Sequence, residues 1–361
     1  MKVIISGGGT GGHIFPAISI ANALKQTDAS VQILFVGAEG KMEMEKVPGA
    51  GYEIVGLPVA GFQRKLSLKN ITFFFKLAAS MIKARSVVRQ FKPDAVVGVG
   101  GYASGPVLRV ATSLKIPTII QEQNSFPGVT NRILSKKVNK ICVAYPGMER
   151  YFPASKIILT GNPIRQNLLQ KVNREEAANY FGLDPNKKVV FVTGGSLGAG
   201  TINQGVLAGY QVLVKSGVQL IWQTGKYYFR ELNKVVSENE NVKIMAFVDR
   251  MEAAFSLADV VVSRAGASSI SEIALLGKAC VFVPSPNVAE DHQTKNAMAL
   301  VKEDAAEMVE DKKVAEELVK KILSLLKDEE RLMQLKNNVK KFAMPDAAKV
   351  IVEELFMLVN K

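Results

Sequence analysis

Residues 7–13 of this 361-residue chain read Gly-Gly-Gly-Thr-Gly-Gly-His, directly after the apolar run Val-Ile-Ile-Ser. Glycines at a strand-to-helix turn tolerate positive φ and let a ligand approach the backbone. The helix that follows turns N–H groups and a partial positive charge toward an anion. Gly7, Gly9 and Gly12 satisfy the G-x-G-x-x-G spacing of a dinucleotide-binding turn. The acid that such a site uses to hold a ribose could only be Glu39, which lies 27 residues past Gly12 and beyond the next strand. That placement weakens a nicotinamide-dinucleotide reading. His13 fits a purely backbone phosphate cradle poorly, whereas an imidazole at the mouth of the turn suits proton transfer near neutral pH. Its plainer role is to cap the helix.

Further glycine-rich turns carry polar groups: Gly-Val-Gly-Gly-Tyr-Ala-Ser-Gly at 98–105, Gly-Gly-Ser-Leu-Gly-Ala-Gly at 194–200 and Ser-Arg-Ala-Gly-Ala-Ser-Ser-Ile-Ser-Glu-Ile at 263–273. Arg165, and Ser196 with the N–H groups around it, have the chemistry to meet a diphosphate. Glu272, one turn into the helix opened by Gly266, can accept hydrogen bonds from both hydroxyls of a ribose. The alternative is a carboxylate that favours the helix dipole. No Asp-x-Asp pair or His/Cys cluster stands at metal-ligand spacing, so neither a metal nor a cofactor is expected in the site.

The elements that position these groups are short β-branched runs at 3–6, 31–36, 95–99, 118–121, 140–144 and 156–160, then 189–193, 220–224, 243–246, 260–263 and 280–284, alternating with helical patterns. That alternation predicts parallel α/β sheets, with ligands beyond the carboxyl ends of the strands. Lys-Val-Ile-Ile-Ser-Gly-Gly-Gly at 2–9 is echoed by Lys-Val-Val-Phe-Val-Thr-Gly-Gly at 188–195, so two Rossmann-like halves facing a central cleft are expected. The turn cluster Gly161-Asn162-Pro163 places the boundary between a domain over 1–160 and one over 161–344. Pro345 then precedes an amphipathic helix, within 345–361, able to cross back onto the first domain.

A net charge of +13 favours anionic partners: nucleic acid, lipid headgroups or phosphorylated substrates. One Trp and eight Tyr offer little for base stacking, and no nucleic-acid-binding signature is present, so nucleic acid is not expected. Cys142 and Cys280 sit in apolar runs that read as buried strands, which fits a reducing compartment rather than a disulfide framework. The first strand starts at once and no apolar run reaches a membrane span, so a soluble chain without a signal peptide is expected.

The ordered set GGGTGGH at 7–13, GVGGYASGP at 98–106, QEQN at 121–124, GNPIR at 161–165, GGSLGA at 194–199, AFVDRM at 246–251, SRAGASSISEI at 263–273 and DHQTKNA at 291–297 resembles the MurG family over essentially the whole chain. These are bacterial transferases that move N-acetylglucosamine from UDP-GlcNAc to undecaprenyl-diphosphate-linked N-acetylmuramyl peptide, converting lipid I to lipid II in peptidoglycan synthesis. The resemblance implies a GT-B fold, with the acceptor held by the N-terminal domain and UDP-GlcNAc by the C-terminal one. It implies that Arg165 and Ser196 contact the diphosphate, the backbone at Phe247 and Val248 the uracil, and Glu272 the ribose. Ala267 and Ser268 would supply N–H groups to a phosphate, and Gln293, with Asn296 nearby, would hold sugar hydroxyls. Thr10, Gly11, Gly12 and His13, with Tyr102, Glu122, Asn124 and Asn203, would line the acceptor and transfer region. His292-Gln293 stands where other members often carry Gln-Gln. Other cell-wall synthesis proteins are implied as partners.

Inverting transfer needs a base for the attacking hydroxyl. His13 is the first choice, and Glu122 is the alternative or the group that orients it. On a helical wheel of residues 64–91, Phe73, Phe74, Leu77, Met81, Ala84, Val88 and Phe91 form the core stripe. Phe75 and Ile82 fall opposite, flanked by Arg85 and Arg89, which suits an anionic membrane surface and a peripheral location on the cytoplasmic face of the cell membrane. The bland alternative packs Phe75 and Ile82 on a neighbouring segment. Three rival activities stay open: a nucleotide-dependent oxidoreductase, a non-catalytic sugar-lipid binding module and a UDP-sugar epimerase.

Overall fold

The structure, a computed structural model, describes residues 1–59, 69–195, 197–236 and 239–360. The chain forms two units, Met1–Arg165 with Met344–Lys361 and Gln166–Ala343.

Unit 1 begins β1 (Lys2–Ser6), α1 (Gly11–Thr27), β2 (Gln32–Ala38), α2 (Glu43–Gly49), β3 (Glu53–Leu57) and α3 (Lys69–Phe91). It continues β4 (Ala95–Gly98), α4 (Ser104–Ser113), β5 (Thr118–Glu122), α5 (Val129–Leu134), β6 (Lys140–Val143) and β7 (Ile157–Leu159). The seven strands are parallel in the order β3-β2-β1-β4-β5-β6-β7. Both faces are covered, as the near-continuous apolar strands require.

Unit 2 holds α6 (Arg174–Phe181), β8 (Val189–Thr193), α7 (Gly200–Lys215), β9 (Gln219–Gln223), α8 (Lys226–Val236), β10 (Val242–Met245) and α9 (Met251–Leu257). It is completed by β11 (Val260–Ser263), α10 (Ala267–Leu276), β12 (Ala279–Phe282), α11 (His292–Val301), β13 (Glu307–Met308), α12 (Val314–Lys327) and α13 (Glu329–Lys340). Its six strands are also parallel, in the order β10-β9-β8-β11-β12-β13. Phe191, Trp222 and Phe282 are the largest side chains fully buried there. Cys142 and Cys280 are buried and unbonded, and burial pushes the Cys142 thiol up to about 12.

Strands β3 and β13 lie at the sheet edges, and neither stood out in the sequence. Glu53 and Gly56 interrupt the apolar run of the first, and the second has only two residues. In α3 the expected core stripe is shorter than the wheel suggested. Ala84 and Val88 are buried and Met81 and Phe91 partly so, but Leu77 is 37% exposed. Residues 75–79 are exposed on every side of the helix, between the half-buried Phe73 and the buried Ser80. The side chain of Phe74, like residues 64 and 65, lies outside the described set.

The chain returns to unit 1 through α14 (Ala347–Val359), which packs on α1. Ile351, Val352 and Leu355 enter the core beside Ile20 and Leu24. Replacing the fully buried Ile351 by Ala should destabilise unit 1 by about 2–4 kcal/mol, read as a lower denaturant midpoint at constant m-value. An unchanged midpoint would mean that α14 is not part of that core.

Candidate functional site: two glycine turns at the strand reversals

In unit 1, β1 and β4 are neighbours at the point where strand order reverses, and ligands of open parallel sheets gather beyond the strand ends at such a point. The turns after β1 and β4 touch backbone to backbone there. A Cβ on Gly101 would stand 2.4 Å from the Gly8 carbonyl oxygen, and Gly101 has φ +83°, so only glycine fits. The Thr10 carbonyl accepts the N–H groups of His13 and Ile14 at 3.1 Å each, which starts α1 and leaves Gly11 and Gly12 ahead of the first intrahelical bond. Thr10 and Gly12 are exposed.

The half-buried His13 ring is fixed by this geometry. Its Nδ1 lies 3.1 Å from the Gly8 carbonyl oxygen and 3.4 Å from Thr10 Oγ1. The edge bearing Cδ2 and Nε2 rests on Gly100, where a Cβ would come within 2.9 Å. A carbonyl oxygen can only accept, so Nδ1 carries the proton and Nε2 is the basic nitrogen.

Glu122, the last residue of β5, is buried. One oxygen accepts the Asn124 backbone N–H at 3.1 Å and its amide at 3.3 Å, and the other accepts Gly128 N–H at 3.0 Å and the Asn131 amide at 2.8 Å. Burial holds its carboxyl above the usual range, and these N–H donors offset only part of that rise. With both oxygens engaged, Glu122 anchors the segment from Asn124 to Asn131. Asn124 is half-buried beside this anchor and Tyr102 is 57% exposed. Gln123 donates to the Val99 carbonyl at 2.8 Å, behind the second turn, and Asn162 joins Gln121 at 2.9 Å. Arg165 closes the N-terminal stretch of unit 1 with its guanidinium 5.2 Å from the Phe15 ring centroid on α1.

In unit 2 the reversal lies between β8 and β11. One buried amide organises it. Gln223, at the end of β9, donates to Thr193 Oγ1 at 3.0 Å and the Gly195 carbonyl at 2.9 Å, and accepts the Val248 N–H at 2.9 Å. The glycine turn after β8 is thereby tied to the Phe247-Val248 segment, where Phe247 is 40% exposed and Val248 buried. Ser196 lies outside the described residues. After β11, Gly266 is the N-cap of α10, Ala267 is buried, and the buried Ser268 Oγ has no hydrogen-bond partner among the described residues. Glu272 is 5% exposed on the same helix. Before α11, Glu290 and Asp291 both adopt left-handed φ, at +56° and +50°, strain of the kind that functional loops carry. Gln293 accepts the Ser285 N–H at 2.8 Å, and His292 is half-buried.

Two expected ligand contacts are turned inward. Asn203 donates to the Thr224 carbonyl at 2.9 Å and accepts from Trp222 Nε1 at 3.0 Å, so it is a core residue of unit 2. Asn296 is fully buried and donates to the Ala265 carbonyl at 3.4 Å, bracing the turn before α10. Three residues that the sequence did not single out hold the turns: Gln223, Arg264, which donates to the Val283 and Pro284 carbonyls at 3.0 and 3.2 Å, and Glu43. Glu43 accepts the N–H groups of Gly9 and Ala38 at 2.9 Å each, beneath the first turn. Only the Gln223-Thr-Gly strand ending resembled a site signal. Glu39, the one candidate ribose acid of the dinucleotide reading, instead pairs with Lys83 at 2.8 Å.

On α3, Phe75 and Ile82 are 74% and 72% exposed, with Arg85 and Arg89 exposed around them. Among the described residues no helix is long and apolar enough to cross a membrane, and no group of three or more His, Cys, Asp or Glu converges to hold a metal ion.

Residues 3–143 match the glycosyltransferase family 28 N-terminal domain and residues 189–351 its C-terminal domain. A UDP-N-acetylglucosamine--N-acetylmuramyl-(pentapeptide) pyrophosphoryl-undecaprenol N-acetylglucosamine transferase of Phocaeicola vulgatus is 55% identical over 100% of this chain and 97% of its own length. The enzyme of the same name from Flavobacterium psychrophilum is 54% identical over 99% of this chain and 98% of its own. The crystal structure of Acinetobacter baumannii MurG superposes with a TM-score of 0.78 at 27% identity, covering 99% of both chains. The UDP-GlcNAc 2-epimerase of Neisseria meningitidis, bound to UDP-GlcNAc, shares the fold alone, at a TM-score of 0.69 and 15% identity over 99% of this chain and 100% of its own. Two Rossmann-like parallel sheets, a glycine turn at each reversal and full-length identity above one half lead to one conclusion: the chain belongs to the MurG family of glycosyltransferases, the UDP-N-acetylglucosamine--N-acetylmuramyl-(pentapeptide) pyrophosphoryl-undecaprenol N-acetylglucosamine transferases.

Proposed function

We propose that this protein transfers N-acetylglucosamine from UDP-GlcNAc to the C4 hydroxyl of the N-acetylmuramyl sugar of lipid I, with inversion, and that unit 1 holds the acceptor and unit 2 the donor. The observation that carries the mechanism is the fixed His13 ring, whose Nδ1–H is held by Gly8 so that Nε2 is the basic nitrogen. An acceptor hydroxyl is too weak an acid to ionise unaided, so His13 takes its proton as the C–O bond forms. The acceptor sugar lies along Thr10, Gly11 and Gly12, with Tyr102 and Asn124 at its edge, and Glu122 anchors the loop that carries Asn124.

In unit 2 the backbone at Phe247 and Val248 meets the uracil, Glu272 the ribose hydroxyls and Gln293 the sugar. The N–H groups of Ala267 and Ser268 at the start of α10 meet the phosphates, with Ser196 as a further donor. These donors stabilise the charge that develops on the leaving UDP. The Ser268 hydroxyl, buried with no hydrogen-bond partner among the described residues, is suited to a phosphate oxygen. The exposed Phe75 and Ile82 with Arg85 and Arg89 bind the anionic cytoplasmic face of the membrane, at roughly 1 kcal/mol per cation near the surface. On this reading the protein works at the membrane as a peripheral enzyme.

Incubation with UDP-GlcNAc and lipid I should yield UDP and lipid II, and UDP-GlcNAc alone should remain unchanged. Isomerised UDP-GlcNAc, or binding without turnover, would replace this reading with an epimerase or a binding module. Activity should persist in excess chelator, and complete loss would require a metal. Phe75→Ser with Ile82→Ser should leave the circular dichroism spectrum intact and reduce binding to phosphatidylglycerol vesicles several-fold; equal binding would reject the α3 surface. Gln223→Leu should weaken UDP binding at least tenfold by calorimetry while lipid I binding is retained. Equal UDP affinity would dissociate Gln223 from the donor site.

A further inference from the structure

The Gly8–Gly9 peptide links two titratable side chains, Glu43 and His13. Its N–H, on Gly9, donates to Glu43 Oε2 at 2.9 Å, and its C=O, on Gly8, accepts from His13 Nδ1 at 3.1 Å. Glu43 is buried, and its other oxygen accepts the Ala38 N–H at 2.9 Å. The space is made for it: a Cβ on Gly8 would lie 2.1 Å from Glu43 Oε1, and one on Gly37 would lie 2.6 Å from its Cγ.

We propose that Glu43 is a positioning residue for the transfer reaction, acting on His13 through the Gly8–Gly9 peptide. A carboxylate accepting the peptide N–H draws positive charge to that end and leaves more negative charge on the carbonyl oxygen, which holds Nδ1–H more strongly and makes Nε2 more basic. The peptide does the work that a directly bonded carboxylate does for many catalytic imidazoles. Thr10 Oγ1 lies 3.4 Å from Nδ1, and ionisable groups on the adjoining segments include Tyr102 of the second glycine turn, Glu122 at the end of β5 and Arg165 over Phe15 of α1. The proposal rests on His13 being the base, but the contact itself can be tested apart from catalysis.

An anion beyond the carbonyl favours the imidazolium, so removing its charge lowers the His13 pKa, moves the acid limb of kcat/KM to lower pH and weakens the base. The chain has two histidines, so isotope-labelled histidine in the full-length protein reports each by NMR, and His13→Asn assigns the pair. Glu43→Gln should lower the His13 midpoint by roughly one unit and the plateau rate roughly threefold, whereas Glu43→Asp should restore most of both. In the unsubstituted protein the Gly9 amide resonance should move with the His13 midpoint. A His13 midpoint unchanged in folded Glu43→Gln overturns the proposal. Where that variant does not fold, a Gly9 amide that stays fixed through the His13 titration overturns it. A lowered His13 midpoint with an unmoved acid limb keeps the relay and removes His13 as the base.

Discussion

Parallel strands end in peptide groups that have left the ladder, and in both units those groups must find buried partners. An unsatisfied buried N–H or C=O costs about 1–3 kcal/mol, more than a single bond to it contributes. The turns that form the candidate site are therefore held by a few enclosed polar side chains. Glu43 takes the N–H of Gly9, Gln123 the carbonyl of Val99, Glu122 the N–H groups that open the following loop, and Gln223 the groups of Gly195 and Val248. The side chains of the candidate site stand on backbone that these residues fix.

The two halves answer that constraint with different charge. A carboxylate lies under the first turn of unit 1, and it uses a turn N–H that a phosphate would otherwise claim. In unit 2 the corresponding brace is the neutral amide of Gln223, and at the start of α10 the buried Ser268 hydroxyl has no hydrogen-bond partner among the described residues. A carboxylate beneath a turn disfavours a second anion there and a neutral amide does not, so two turns that read alike as glycine patterns differ in their electrostatics.

Much of the fold was legible because buried parallel strands are nearly continuous apolar runs and the glycine turns follow them directly. Edge strands escaped this logic, since β3 carries Glu53 and Gly56 and β13 is too short to show a pattern. The site was legible as a set of segments but not as a set of directions. Motif order placed Asn203 and Asn296 near the turns, yet their amides point into the protein, toward Thr224 and Ala265. Glu43 was invisible because Glu39 and Glu45 stand close to it with the same chemistry, and only the backbone path decides which carboxylate is enclosed. A helical wheel likewise gave Leu77 a core face, but a wheel does not show where packing along a helix begins.

The return of α14 onto α1 has a consequence for how the molecule is made. Unit 2 is one continuous stretch, Gln166–Ala343, whereas the core of unit 1 includes Ile351, Val352 and Leu355 from the end of the chain. During synthesis the second half has its whole sequence before the first half does. Unit 1, although it begins first, completes its core only once α14 has been synthesised beyond unit 2. Until then the apolar face of α1 that receives α14 lacks its native cover, so residues 347–359 set the time at which the first unit is finished.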